Sequence, residues 1–139
     1  MRKIKCLVLI FLFLFVSCAT IEQRRIDRDA ALHATATWFQ YLDEMNFEKL
    51  WEISSDLLKL KNDKEVFLRA VGGTRKPLGK CINRDLQVND VVRLIEHYPD
   101  GEYRKVVYWS KYEHKNFARE YFLLVKEGDH WRVLSYHFM

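Results

Sequence analysis

Thiols, imidazoles, carboxylates and phenols are the groups of this chain that could do chemistry. Their spacing narrows the options. Histidines stand at 33, 97, 114, 130 and 137. None forms a His-x-x-x-His pair and no Cys pair supplements them, so the sequence implies no metal site. The stretch Gly73-Thr74-Arg75-Lys76-Pro77-Leu78-Gly79-Lys80 has the composition of a phosphate loop but fails on detail. A phosphate loop has four residues between its glycines and Ser or Thr after its Lys; here five intervene and Cys81 comes next. A solvated loop is the plainer reading. The alternative is that Arg75, Lys76 and Lys80 touch anionic lipid or lipopolysaccharide. Asp85, Tyr108 and Tyr136 are the residues to watch for acid–base work, since an inward carboxylate with a raised pKa could act as a base. Nothing in the sequence brings any two of them together, so no catalytic residue and no cofactor are assigned.

The cysteines, at 6, 18 and 81, divide by position. Cys81 has no nearby His and is followed by apolar Ile82, which reads as a buried structural thiol. The other two belong to an unusual N-terminus. Arg2, Lys3 and Lys5 precede an unbroken apolar run from Leu7 to Val16, then small Ser17 and Cys18. A cationic stretch, an apolar run and a small residue before the cut form a secretory signal. The ten apolar residues span about 15 Å as a helix, short of a hydrocarbon core of about 30 Å. Export of residues 1–17 therefore fits better than a membrane-spanning anchor.

Phe15-Val16-Ser17-Cys18 resembles the lipobox of bacterial lipoproteins, with Phe where Leu is commoner. The resemblance implies that Cys18 is the lipid attachment site. Its thiol would carry diacylglycerol, the chain would be cut before it, and the new amine would take an acyl chain such as palmitate. Ala19 after the cysteine resembles the pattern sent on to the outer membrane. The implied setting is a lipid-anchored protein of the bacterial envelope facing the periplasm.

Charge must be recounted on that basis. The whole chain has 23 Lys and Arg against 19 Asp and Glu. Without Arg2, Lys3 and Lys5 the balance is 20 against 19. The basic excess belongs to the leader and gives no argument for a nucleic-acid partner. With Cys6 removed and Cys18 acylated, Cys81 has no mate, so the domain is expected to stand on its core without a disulfide.

Periodicity indicates the elements that must position these residues. Residues 18–29 are polar and read as a lipidated tether. Residues 30–139 read as a single α+β domain. Ala31, Thr35, Trp38, Leu42 and Met45 recur at helical steps, predicting a helix from about Ala30 to Glu44 capped by Asp29. Asn46 caps a second helix carrying Phe47, Leu50 and Trp51, and Ser54-Ser55-Asp56 weakens the helix before Leu57-Leu58. Asn62 and Glu65 form a variant capping box for a third helix, which Gly72-Gly73 stops. The period then becomes two. Strands are expected at 81–89, 91–98, 103–112, 117–126 and 131–138, the first two open to being one bent strand. Turns fall at Pro99-Asp100-Gly101 and Glu127-Gly128-Asp129.

Helices first and strands afterwards argue an α+β domain with a mostly antiparallel sheet. The order is similar to the cystatin-like, nuclear-transport-factor-2-like cone, which implies N-terminal helices on a curved four- to five-stranded sheet. Several stretches also resemble an uncharacterised bacterial family, domain of unknown function 4019. They are Leu50-Trp51-Glu52-Ile53-Ser54-Ser55, Arg75-Lys76-Pro77-Leu78-Gly79 with Arg84, Pro99-Asp100-Gly101-Glu102-Tyr103, and Trp131-Arg132-Val133 with Tyr136. That family implies a fold and an envelope setting but no activity.

The leading expectation is a non-catalytic binding or scaffolding module, held at a membrane through Cys18 and partnered by another envelope protein. Its alternatives are a small apolar ligand in a pocket near Trp38, Tyr108 and Tyr136, or an enzyme using that pocket. A buried carboxylate within hydrogen-bond reach of a Tyr or His would favour the enzyme over the apolar pocket.

Overall fold

The computed structural model describes the backbone of residues 2–93 and 95–139, and side chains from residue 19 onward. Phe15-Val16-Ser17-Cys18 therefore lies outside the residues whose side chains are described. The chain divides into two compact units, Met1–Ala30 and Ala31–Met139. Helix α1 runs Arg2–Asp43, so residues 19–29 are helical and Asp29 is an interior helical residue rather than a cap. Among the described residues, no helix is long and apolar enough to cross a membrane.

In the second unit, α1 buries Ala31, Thr35, Trp38 and Leu42 completely, at the steps the sequence shows. Met45 departs from that face. It is exposed and has φ of 57°, ending the helix in a left-handed residue. Asn46 then caps α2 (Phe47–Ile53), its side chain accepting from Lys49 N at 3.2 Å. Ser55 caps a further short helix, α3 (Asp56–Lys61), accepting from Leu58 N at 3.0 Å. The next helix, α4 (Lys64–Arg75), is capped by Asp63 rather than Asn62. The Asn62 amide instead donates back to Leu58 O. Gly72-Gly73 does not stop α4. Gly72 is buried, and a Cβ there would meet the Phe47 ring at 3.2 Å, so its smallness serves close packing of α2 on α4. The chain leaves the helix through a 3-10 turn, Lys76–Leu78, and Gly79.

The rest of the unit is four strands: β1 (Cys81–Val92), β2 (Tyr103–Tyr112), β3 (Lys115–Glu127) and β4 (His130–Phe138). The two candidates at 81–89 and 91–98 resolve into β1 and a turn. All pairings are antiparallel and the order is β1-β2-β3-β4. This corrects the expected cone. Each strand pairs only with its neighbours in sequence, so the sheet is an open meander that neither closes nor curls. Register shifts between Leu86 and Val88, and between Leu123 and Leu124, are local irregularities within it.

The centre of the core is aromatic. Trp38 lies edge-on to Phe122 at 6.2 Å and Phe67 at 6.1 Å, and beside Tyr136 at 6.0 Å. Phe39 meets Tyr108 and Phe122 at 5.0 Å each, both edge-on. A second cluster joins Leu58 of α3 to Tyr103, Leu123, Val125 and Leu134. Ser55 N bonds to Val133 O at 2.9 Å, and the Glu127 carboxylate accepts from Asp56 N at 2.9 Å. These bonds tie the α2–α3 junction to the sheet.

Candidate functional site

The polar feature of this core is a carboxylate. Glu120 stands between Ala118 and Phe122 on the inward face of β3 and is fully buried. Burying a carboxylate without partners costs several kcal/mol, roughly, so its surroundings must supply donors. The Tyr112 hydroxyl donates to Oε1 at 2.7 Å, the Tyr136 hydroxyl to Oε2 at 2.5 Å, and Arg84 Nε to Oε1 at 3.2 Å.

Arg84 extends the network to α1. Its two terminal nitrogens grip both oxygens of Asp43, at 2.6 and 2.8 Å, and one of them also donates to the Tyr112 hydroxyl at 2.9 Å. Its guanidinium stacks on Phe39, 3.9 Å from the ring centroid. Arg75, at the end of α4, donates to Asp43 at 3.1 Å and to Gly79 O at 2.6 Å. Two guanidiniums therefore meet two carboxylates, drawn from α1, α4, β1 and β3, and the charges balance.

This packing sets the electrostatics. Burial pushes Asp43 up, but the Arg84 bonds and charge, then those of Arg75, outweigh it and hold the carboxyl below its ordinary range. Arg84 is raised: burial opposes its charge, and Asp43 and Glu120 more than compensate. Tyr112 and Tyr136 are both pushed up, first by burial and then by the Glu120 charge.

The residues singled out from sequence scatter. Asp85 is exposed and bonded to the Asn83 amide at 2.8 Å, away from the network. Tyr108 points inward, but its hydroxyl pairs with Thr35 at 3.0 Å. Of the three, Tyr136 alone reaches the network. Arg75 is buried, which removes it from the expected lipid-touching loop, whereas Lys76 and Lys80 are exposed. Cys81 is half-buried; burial raises its thiol, against the opposing charge of Arg84. All five histidines are exposed, and among the described residues no group of three His, Cys, Asp or Glu could hold a metal ion.

Sequence alone does not single out Glu120, Asp43 or Tyr112. A signal for Glu120 exists: an acid at a period-two position between Ala118 and Phe122 sits on an apolar strand face. Asp43 carries no comparable signal, because its partners lie 32 and 41 residues away.

Two shallow clefts open between α4 and β4. One, lined by Ala70, Val71, Thr74, Tyr136, His137 and Phe138, holds about 240 Å³. The other shares Ala70, Val71, Tyr136 and His137 with it and holds about 220 Å³. Both fall below the roughly 300 Å³ at which ligand pockets begin.

A protein family matches this chain over residues 34–136, the stretch that contains every member of the network. Its description is "Protein of unknown function (DUF4019)". The chain belongs to that family. Arg75, Gly79, Arg84 and Tyr136, through which the sequence resembles the DUF4019 family, build the network directly. No curated protein matches the chain.

Proposed function

We propose that this DUF4019 protein is an envelope lipoprotein, anchored through Cys18, whose domain is a non-catalytic binding or scaffolding module. The observation that carries the non-catalytic part is the engagement of the inward acid. Both Glu120 oxygens are occupied and its charge is matched by Arg84. A general base needs an open lone pair facing substrate. The anchor is supported by the leader pattern and by the lipobox at 15–18. Two or three acyl chains, at about 0.8 kcal/mol per buried CH₂, hold far more firmly than the single chain that binds only marginally. The setting is the periplasmic face of the outer membrane, and the partner another envelope protein.

One observation favours a catalytic second reading over an apolar pocket: a buried carboxylate does lie within reach of tyrosines, and Tyr136 lines both clefts. It remains second because Tyr136 is pushed well above its ordinary value. That is the wrong direction for an activated phenol.

The test of the anchor is palmitate labelling with membrane fractionation of the wild type and Cys18→Ala. The wild type is labelled and sediments with membranes. The variant loses both properties. A Cys18→Ala protein that is processed normally and stays in the membrane fraction refutes the proposal. Crosslinking in the native envelope then identifies the partner.

A further inference from the structure

The sheet has a second face. Side chains alternate along a strand, so Trp109 projects opposite Tyr108, and Arg119 opposite Glu120. Trp109 is 49 % exposed and Phe117 57 % exposed, and their rings pack together at 5.6 Å. The other tryptophans are more protected: Trp38 is fully buried, Trp131 nearly so and Trp51 half-buried. Two large aromatic rings packed edge-on in water form an apolar patch that their own fold does not cover.

Two cations and one acid share the strand face with the pair. Arg119 is directly opposite Trp109 across β2 and β3, and Lys111 lies two residues along β2 on the same side. Both are exposed, and among the described residues neither forms an ion pair. The acid of this row is Asp85, opposite Trp109 on β1 and already accepting from Asn83. Glu113, at the β2–β3 turn, is occupied by Lys80 N at 2.7 Å. An aromatic pair flanked by free cations matches an anionic lipid surface: the rings enter the headgroup boundary while Lys and Arg meet phosphates. A second copy of the chain fits less well. It could set Asp85 against Arg119, but a self-complementary face would also bring the cations of one copy beside those of the other.

We propose that Trp109 and Phe117, with Lys111 and Arg119, form a bilayer-docking patch that seats the domain on anionic lipid. The inference rests on the anchored reading and adds a contact that the lipid on Cys18 does not itself supply.

The experiment uses the full lipidated chain in phosphatidylethanolamine vesicles doped with phosphatidylglycerol, some of whose acyl chains are brominated. Bromine quenches a tryptophan that reaches it. The expected result is that the wild type floats with the vesicles and is quenched, and that Trp109→Phe abolishes the quenching while floating equally. Removing Lys111 and Arg119 together, each to Ala, lowers the ratio of docked to undocked domain about thirtyfold. Omitting phosphatidylglycerol reduces quenching in the wild type. Flotation without quenching overturns the docking patch alone, as does equal quenching of wild type and Trp109→Phe. A dimer in sedimentation together with unquenched Trp109 assigns the patch to a second copy instead. Failure to float overturns the anchored reading and this inference together.

Discussion

Glu120→Gln is the most informative perturbation of the core. It keeps the shape of the side chain and removes its charge. Three donors aim at the native carboxylate, from Tyr112, Tyr136 and Arg84. An amide presents one acceptor oxygen and one NH₂ group, so at least one hydroxyl must turn from donor to acceptor or lose its bond. The two guanidiniums of Arg75 and Arg84 then share a single carboxylate, Asp43. A hydrogen bond to a charged group contributes about 1.5–3 kcal/mol, and breaking a buried pair from one side costs about 3–5 kcal/mol. Because Asp43 still grips Arg84 at both oxygens, the lower end applies, and the expected loss is about 3 kcal/mol. In urea, with a slope of about 2 kcal/mol per molar for a small domain, the midpoint falls by roughly 1.5 M with the slope unchanged. Far-UV circular dichroism should stay native before the transition. A midpoint within about 0.25 M of wild type would refute the view that these three bonds hold a charged Glu120 in the core.

Three further outcomes are expected. If Arg84 and Glu120 act as one unit, Arg84→Met and Glu120→Leu together cost less than the two singles added, with a coupling of about 1.5 kcal/mol or more in a double-mutant cycle; additive losses refute the unit. Asp43 is held below the ordinary aspartate value of 3.8 in the folded state, so on acidification the unfolded chain takes up its proton first. The stability it contributes is present above pH 3.8 and is lost as pH falls through the lower folded value. Asp43→Asn should remove that part of the acid slope in urea titrations run pH by pH, and an unchanged slope contradicts the assignment. Gly79 has φ of 74° and ψ of −158°, a region open essentially to glycine alone, and a Cβ there would lie 2.6 Å from Glu113 Oε2. Gly79→Ala should therefore cost about 1–3 kcal/mol of unfolding free energy, and a neutral result would mean that the turn re-forms.

The sequence is most legible where the physics is local. The steps of Ala31, Thr35, Trp38 and Leu42 identify a buried helix face because only three or four residues separate successive contacts. Asn46 announces α2 because a cap bonds three residues on. Gly128, with φ of 61°, marks the β3–β4 hairpin. Local cues mislead where packing outweighs them. Gly72-Gly73 carries the composition of a helix end, yet α4 continues through both, because Gly72 answers to the Phe47 ring and not to the backbone. Asp29 has the type and place of a cap, yet a continuous helix has no need of one there. The curved cone rests on element order alone, and that order is equally compatible with an open meander of neighbouring strands.

The network itself is illegible in the sequence for a related reason. Asp43, Arg75 and Arg84 each look ordinary in their own windows: an acid at a helix end, a base in a loop, an arginine on an edge strand. Only the fold sets Asp43 against Arg75 and Arg84, and Arg84 against Glu120. Once assembled, the four charges cancel and the tyrosine hydroxyls fill most of the remaining bonding capacity. That closure bears on function. A site built for acid–base chemistry leaves a perturbed group facing an open cavity. Here the most buried acid faces its own partners, and the adjoining clefts are small. An arrangement of this kind fixes how α1, α4, β1 and β3 meet, because any other register would strand a buried charge. The interior then serves to hold the fold, while Trp109 and Phe117 of β2 and β3 lie exposed on the other face of the sheet.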